Sequence, residues 1–261
     1  MALAKGAMAG ADPASLPERK RDRLKRAMRV PLGVRTSDLP KRAASAAVML
    51  AVVALAFWIG GWAVTVLIGA VAAACLWEWQ RMVRARSLST FAKAIWIAGG
   101  VLYIGLAAWL LLELPVDALP VIIGVVIFTD SCAYFAGRPF GGPKIAPRIS
   151  PSKTWAGLVG GMLGAALFMW IIMAVLIWVD GETGQGVGEL LMAPMSLIYV
   201  AMGAVLAVAA QAGDFFESWM KRKAAMKDSS NLIPGHGGVF DRIDGLLPVA
   251  ILVGVGFMHF L

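Results

Sequence analysis

Hydrophobic residues in this chain form long blocks that are separated by short polar stretches. Several blocks reach about 18 residues or more with few or no charges, the length an α-helix needs to cross a hydrocarbon core about 30 Å thick. We predict an all-α polytopic membrane protein with about seven, and at most nine, transmembrane helices. The predicted spans are residues 44–60, 61–80, 94–112, 118–136, 155–179, 190–212 and 243–261. The pair Gly60–Gly61 fits either a turn between two helices or a kink within one.

Composition and charge agree with this class. Hydrophobic residues make up 59% of the chain, whereas soluble domains are nearer one half apolar. The net charge of +8 would suggest a nucleic-acid partner in a soluble chain. Here all 24 Lys and Arg residues lie in residues 1–43, 81–93, 138–153 and 213–242. The intervening loops carry acids only, so the positive-inside rule places the N-terminus and the basic loops in the cytoplasm of a bacterial-type plasma (inner) membrane. We expect the lipid bilayer as a partner and no nucleic acid.

Three regions follow from this distribution. Residues 1–43 form a basic cytoplasmic arm, in which 18–29 is either a helix on an anionic membrane surface or a disordered tail. Residues 44–129 hold the N-terminal transmembrane helices, where Glu78 is an unusual charge that would pair with an interfacial Arg or face a polar cavity. Residues 130–261 hold the remaining spans and two cytoplasmic polar segments, 130–154 and 213–244. Cys75 and Cys132 lie in apolar spans without a pairing pattern and are interpreted as small buried residues.

The polar segment 213–244 begins on a helix that continues from the sixth span. Asp214, Glu217, Ser218 and Lys221 share one face of this helix, because they are three and four residues apart. A carboxylate that emerges from an apolar span costs free energy unless a cation or metal accompanies it. Asp214 therefore requires a positive partner.

A glycine-rich loop follows in the same segment. Three glycines within residues 235–238 would let the backbone aim several amide N–H groups at an anion. Asp241 and Asp244 come next, on one side of the first turn of the last span, and basic residues are interleaved with these acids. The pattern is typical of a divalent metal that holds a phosphate; the alternative is a solvated loop with ion pairs between neighbours.

The polar segment 130–154 carries the other candidate residues. Asp130 ends an apolar span and should face protein or water, and four basic residues follow in one short loop. Ser150 or Thr154 would cap the next helix, and this helix terminus with Lys153 beside it predicts a phosphate site. The alternative is a topology signal followed by a helix cap.

Segment 213–244 resembles a known signature, that of the phosphatidate cytidylyltransferase (CDP-diacylglycerol synthase) family. The similarity covers the run Ser218-x2-Lys221-Arg222-x4-Lys227-Asp228-x5-Pro234-x-His236-Gly237-Gly238-x2-Asp241-Arg242-x-Asp244. Segment 130–154 is similar to the family's acidic residue before Ala-Tyr-Phe, its basic Gly-rich loop and its Ser-Pro-x-Lys-Thr element. One position departs, because Ala156 stands where the family commonly has Glu.

The resemblance implies that a phosphatidate oxygen attacks the α-phosphorus of CTP and that pyrophosphate leaves, which makes residues 130–261 the catalytic region. It implies Mg²⁺, alone or with a second, monovalent cation. The expected metal ligands are Asp214, Asp241 and Asp244. The expected catalytic residues, mainly for phosphate contacts, are Lys221, Arg222, Lys227, Asp228, Ser218, His236, Arg242 and Lys153. The expected substrate-binding residues are Ser150, Thr154, Gly237, Gly238 and Asp130.

Three other functions remain open on the sequence. The first is an enzyme that uses CTP with another lipid phosphate. The second is a transporter or anion channel, and the third is an inactive scaffold. The polar residues cluster at one membrane face, which is unlike transporters with sites at the bilayer midplane. Small residues at Gly157, Gly160, Gly161 and Gly164 permit close helix contact either within one chain or in a homodimer.

Overall fold

The computed structural model describes residues 39–180 and 194–259. The helices are α1 Leu39–Ile59, α2 Trp62–Ala85, α3 Thr90–Glu113, α4 Ala118–Phe140, α5 Trp155–Asp180, α6 Pro194–Lys223, α7 Phe240–Ile243 and α8 Leu246–His259. A two-stranded antiparallel hairpin, β1 Lys144–Ala146 and β2 Ser150–Thr154, lies between α4 and α5. The described residues from Lys41 onward form one compact unit, and the predicted surface helix at 18–29 lies outside the described residues.

The predicted all-α membrane class is confirmed. Helices α1 to α6 are each long and apolar enough to cross a membrane. Helix α8 is also apolar but has 14 residues, fewer than the roughly 20 that a perpendicular span needs. These seven helices correspond to the seven predicted spans, and the cytoplasmic side of the N-terminus stays a prediction.

The structure shows a break between helices at Gly60–Gly61 but none at residue 130. Gly60 and Gly61 both adopt positive φ angles, 70° and 45°, a conformation that glycine reaches without strain. They form a turn between α1 and α2, which settles the alternative between a turn and a kink. By contrast, the predicted division before residue 130 lies inside α4 and marks a change in polarity along one continuous helix.

Small residues let α4, α5 and α6 pack closely. A Cβ at Gly160 would overlap Ala136 on α4, and a Cβ at Gly164 would overlap Cys132. A Cβ at Gly203 on α6 would lie 2.5 Å from the carbonyl oxygen of Ala165. The glycines of α5 are therefore used in contacts within the chain, and their presence gives no support to a homodimer.

An aromatic cluster joins α2, α3, α6 and α7 at the polar end of the bundle. The ring of Trp79 lies 5.8–6.4 Å from those of Trp96, Tyr103, Phe216 and Phe240. Trp79 is 2% exposed, and its indole N–H donates to the Trp96 carbonyl at 2.7 Å. The cluster fixes α2 and α3 against the helices that carry the predicted site.

Candidate functional site

Lys221, on the last turns of α6, lies between two carboxylates. Its Nζ atom is 2.5 Å from Glu217 Oε2 and 2.6 Å from Asp241 Oδ1. Glu217 is one helical turn earlier on α6, as the predicted face requires, and its side chain is 1% exposed. The ammonium group therefore lies between two buried carboxyl groups and joins α6 to α7.

The other oxygen of Asp241 is also fully engaged. Asp241 Oδ2 accepts hydrogen bonds from the Ser229 amide at 3.0 Å, the Ser229 hydroxyl at 3.0 Å and the Gly238 amide at 2.8 Å. Burial by itself would raise the pKa of Asp241, but hydrogen bonding with Glu217, Lys221 and Gly238 lowers this pKa well below its usual range. Asp241 is thus an ionised carboxylate in a fixed orientation.

A second buried carboxylate, Glu78 on α2, holds the same loop. It accepts hydrogen bonds from the hydroxyls of Ser229 and Ser230 and from the amides of Val239 and Phe240. Its partners in the described part of the chain are therefore loop donors and not the interfacial Arg that was one of the two sequence alternatives. A Cβ at Gly238 would overlap Glu78, which explains glycine at this position by close approach of a protein side chain.

An ion pair between Lys153 and Asp214 brings the two polar segments together. Asp214 also accepts a hydrogen bond from Ser218 at 3.3 Å, one turn along α6. Asp130 on α4 lies within electrostatic range of both Lys153 and Asp214. The positive partner predicted for Asp214 is therefore Lys153 of the other segment.

The hairpin β1–β2 carries Lys153 and ends in the predicted helix cap. The hydroxyl of Thr154 accepts the Gly157 amide at 3.1 Å, which caps the first turn of α5. Ser150 is buried at the start of β2. Arg222 donates to the Ile149 carbonyl at 3.3 Å and so ties the end of α6 to the hairpin.

Asp244 lies between the short helix α7 and the apolar helix α8. The sequence predicted Asp241 and Asp244 on the first turn of the last span, and this prediction is wrong because Asp241 lies on the separate helix α7. The Gly245 amide donates to Asp244 Oδ1 at 2.8 Å. Burial, and then the negative charge of Asp214, raises the pKa of Asp244 to about 7. The charge of Asp130 acts in the same direction, so three carboxylates concentrate negative charge at this point.

The glycine-rich loop 235–238 is held by Ser45 of α1 and by Arg242 of α7. Ser45 Oγ lies 2.8 Å from His236 Nδ1 and donates to the Pro234 carbonyl at 3.0 Å. Arg242 donates to the His236 carbonyl from Nε at 3.1 Å and from Nη2 at 2.5 Å. Gly235 and Gly237 have positive φ angles of 77° and 86°, which explains two of the three glycines by backbone conformation.

The remaining predicted residues lie at the rim of this cluster. Lys227 and Asp228 are exposed in the loop after α6, and Asp228 packs against Gly237. Lys227 and Arg222 therefore present positive charge to the outside of the polar cluster. The individual catalytic, substrate-binding and metal roles of all these residues stay predictions.

An apolar cavity of about 540 Å³ adjoins the polar cluster between α2, α3, α6 and α8. Four aromatic side chains line it, those of Trp79, Trp96, Tyr103 and Phe216. The lining also includes Gly213, the neighbour of Asp214, and Ile95, which is 57% exposed on the outer surface of the bundle. The cavity lining therefore includes both a residue of the apolar outer surface and the residue that precedes Asp214.

The sequence did not assign Glu78, Ser229 or Ser45 to the site. The signal for Glu78 was its charge inside an apolar span, which marks such a residue for attention. Ser229 and Ser45 carried no comparable signal, because serine is frequent in turns and at helix ends.

The sequence is similar to those of several known proteins. A protein from Brucella suis named phosphatidate cytidylyltransferase is 42% identical over 164 residues, which cover 60% of this chain and 55% of that relative. Proteins of the same name from Haemophilus influenzae and Thermotoga maritima are 42% identical over 117 residues and 39% identical over 136 residues. These matches cover 45% and 51% of this chain and 37% and 46% of the relatives, so the chain spans about half the length of the curated relatives it matches.

A family model matches a longer part of the chain than these relatives do. The model of the "Cytidylyltransferase family" matches residues 40–119 and 116–260, which together include α1 to α8. Because this match covers far more than half of the sequence, the chain belongs to the cytidylyltransferase family.

Proposed function

We propose that this chain is a phosphatidate cytidylyltransferase, an enzyme that converts CTP and phosphatidate to CDP-diacylglycerol and pyrophosphate. One observation carries the proposal: the apolar cavity begins at Gly213, beside the Asp214–Lys153 ion pair that joins the two polar segments. A cluster of fixed charges next to an apolar cavity suits a substrate with a phosphate head and acyl chains. The relatives carry the same activity in their names.

The reaction is a displacement at phosphorus. An oxygen of the phosphatidate phosphate forms a bond to the α-phosphorus of CTP, and the bond from this phosphorus to the bridging oxygen of the β-phosphate breaks. The electron pair of the broken bond leaves with pyrophosphate. A phosphate monoester has a second pKa of about 6 and is largely ionised near neutral pH, so the nucleophile needs no general base from the protein.

The main task of the protein is to bring two polyanions together, which requires fixed positive charge. Lys153 lies just before the capped start of α5, Arg222 contacts the same hairpin at Ile149, and Lys227 is exposed in the loop after α6. We assign phosphate contacts to these three side chains. Lys221 already contacts Glu217 and Asp241, so its assigned role is to orient Asp241.

The carboxylates fit Mg²⁺ as a cofactor. Asp214, Asp244 and Asp130 concentrate negative charge, and burial together with the Asp214 charge raises the pKa of Asp244. Among residues 39–180 and 194–259, no three His, Cys, Asp or Glu side chains form a complete metal-binding group. Mg²⁺ commonly uses one or two carboxylates together with substrate phosphates and water.

We assign Asp214 and Asp244 as the first candidates to hold Mg²⁺, and Asp241, whose two oxygens contact protein donors, as the third. Bound Mg²⁺ would offset the negative charge of the triphosphate and polarise its oxygens. The predicted second, monovalent cation has no additional support.

The lipid substrate would enter laterally from the bilayer. The exposed Ile95 lies at the outer edge of the cavity and Gly213 at its inner end. With the phosphate at the polar cluster, the acyl chains would lie along the aromatic lining. The distribution of Lys and Arg supports a site that faces the cytoplasm, and thus a bacterial inner membrane.

The decisive test is product formation by the purified full chain. CTP labelled in the cytosine ring should give a lipid-soluble labelled product only when phosphatidate and Mg²⁺ are both present, and EDTA should abolish it. CTP labelled at the γ-phosphate should leave its label in water-soluble pyrophosphate. Transfer of the γ-label to lipid would contradict the proposal, because it would indicate a lipid kinase.

Two further arms define the substrate and the metal. An isoprenoid-ether lipid phosphate in place of phosphatidate tests the alternative of another lipid phosphate, and preference for it would overturn phosphatidate as the substrate. The variant Asp241→Asn should lose activity at the Mg²⁺ concentration that saturates the wild-type enzyme. Full activity with unchanged dependence on Mg²⁺ in this variant would remove Asp241 from the metal site.

A further inference from the structure

Glu78 is a fully buried carboxylate whose hydrogen-bond donors among the described residues all lie in segment 213–244. The side chain is 0% exposed. Oε2 accepts the Ser229 hydroxyl at 3.0 Å and the Phe240 amide at 2.7 Å, and Oε1 accepts the Ser230 hydroxyl at 2.5 Å and the Val239 amide at 2.9 Å. These donors lie some 150 residues after Glu78 in the chain.

The same turn also carries Asp241. The Gly238 amide donates to Asp241, whereas the next two amides, of Val239 and Phe240, donate to Glu78. The Ser229 hydroxyl lies 3.0 Å from a carboxylate oxygen of each acid. A hydroxyl has one proton, so it donates to one of the two acids at a time and links their positions.

Two independent features show that the turn is built around Glu78. Gly238 has no side chain at the point where a Cβ would overlap both Glu78 and the Ser229 hydroxyl. Arg81, one turn further along α2, donates to the Ser229 carbonyl at 3.4 Å. Helix α2 thus holds both the beginning and the end of the loop through charged side chains.

We propose that Glu78 is a positioning residue of the active site, which fixes the turn 238–240 and the Ser229 hydroxyl so that Asp241 faces Lys221. Glu78 itself contacts none of the groups assigned to phosphate or metal. This inference rests on the proposed function for its kinetic consequence, but the fixed turn can be measured without activity. A buried carboxylate is a costly way to hold a loop for stability alone, since apolar replacements of buried charges are often neutral or stabilising.

The test uses Glu78→Gln in the full chain, because glutamine keeps the shape of the side chain. Its amide nitrogen cannot accept hydrogen bonds, so at least one backbone amide of the turn loses its partner. We expect hydrogen exchange of the amides 238–240 to accelerate about 10- to 100-fold, the equivalent of one orphaned buried donor. The kcat/KM for CTP should fall by a similar factor and the unfolding temperature by about 3–10 °C, whereas the KM for phosphatidate should stay near the wild-type value.

A matched serine pair separates positioning from general support of the fold. Ser229→Ala and Ser230→Ala each remove one hydroxyl from Glu78. Ser229 also contacts Asp241, whereas Ser230 also accepts the amide of Leu232 at 3.1 Å, a residue that is 50% exposed. Ser229→Ala should raise the KM for CTP, and Ser230→Ala should stay within about threefold of wild type, less than the loss expected for an unsatisfied buried donor. In the double variant Glu78→Gln with Ser229→Ala, the loss should be smaller than the product of the two single losses, because both act on one contact chain.

The outcomes are distinct. Wild-type exchange rates at 238–240 in Glu78→Gln overturn the inference. A fall in kcat that is fully explained by a smaller fraction of folded protein, with KM for CTP unchanged, overturns it as well. Accelerated exchange in a protein whose wild type makes no liponucleotide supports the fixed turn and contradicts only the proposed function.

Discussion

At the scale of single residues, the carboxyl groups of the site differ in their partners. Glu217 is 1% exposed and faces Lys221, Asp214 faces Lys153, and the donors to Glu78 in the described part of the chain are neutral. The loss of one member of a buried pair leaves the other charge without compensation, which is more costly than the pair itself is stabilising. Each of these residues should therefore respond differently to substitution.

Replacement of Lys221 by Met should destabilise the protein strongly. The change leaves Glu217 and Asp241 without their shared cation, and the loss of one partner from a buried ion pair costs about 3–5 kcal/mol. The matched control is Lys223→Met, an exposed position on the same last turn of α6, which should change the free energy of unfolding by no more than about 0.5 kcal/mol. Equal unfolding midpoints of the two variants in detergent would show that the contacts of Lys221 do not stabilise the fold.

At the scale of secondary-structure elements, helix packing decides which residues meet. Glycines on α5 and α6 allow the close contact of α4, α5 and α6, and the hairpin after α4 then brings Lys153 to Asp214. Helices α2, α3, α6 and α8 leave the apolar cavity between them. The cavity is therefore a consequence of helix arrangement, and its dimensions can be changed one glycine at a time.

Filling the cavity from α3 should impair use of the lipid substrate. A Cβ at Gly99, which lines the cavity, would meet open space, and so would a Cβ at Gly105 on the same helix outside the lining. Gly99→Leu should raise the KM for phosphatidate in mixed micelles at least about fivefold, since overpacking costs about 1 kcal/mol or more. Gly105→Leu should leave it unchanged.

The KM for CTP provides the internal reference for this pair of variants. It should remain at the wild-type value in both, because neither glycine lies in the polar cluster. Equal effects of the two substitutions on phosphatidate would remove the cavity as the place of the acyl chains.

At the scale of the whole molecule, the polar residues gather at one end of the helical bundle. Segments 130–154 and 213–244 are separate in sequence but share ion pairs and hydrogen bonds such as Lys153–Asp214 and Arg222–Ile149. All Lys and Arg residues belong to loops on one side of the predicted topology. The positive-inside rule then predicts that this end is cytoplasmic.

Cysteine labelling tests that sidedness. In a background without Cys75 and Cys132, a cysteine replaces either the exposed Ser152 of the hairpin or the exposed Val116 between α3 and α4. In intact spheroplasts a membrane-impermeant maleimide should label Val116→Cys and should reach Ser152→Cys only after permeabilisation. The reverse pattern would place the polar cluster outside and would contradict the predicted topology.

The sequence by itself determined the features that depend on neighbouring residues. Apolar length fixes the spans, helical spacing puts Glu217 and Lys221 on one face, and Thr154 caps the helix that follows it. These features need no knowledge of distant segments, because the driving interactions act within one or two helical turns. The family signature was local for the same reason, since it lies within one loop and its flanking helices.

Only the tertiary structure decided which distant side chains meet. Lys153 as the partner of Asp214, and the loop donors as the partners of Glu78, join residues about 60 and 150 positions apart. Helical or strand periodicity predicts the face on which a residue lies, but not the element that packs against that face. The close approach that requires Gly238 likewise depends on Glu78 from another helix, so its cause could not be read from the glycine-rich loop alone.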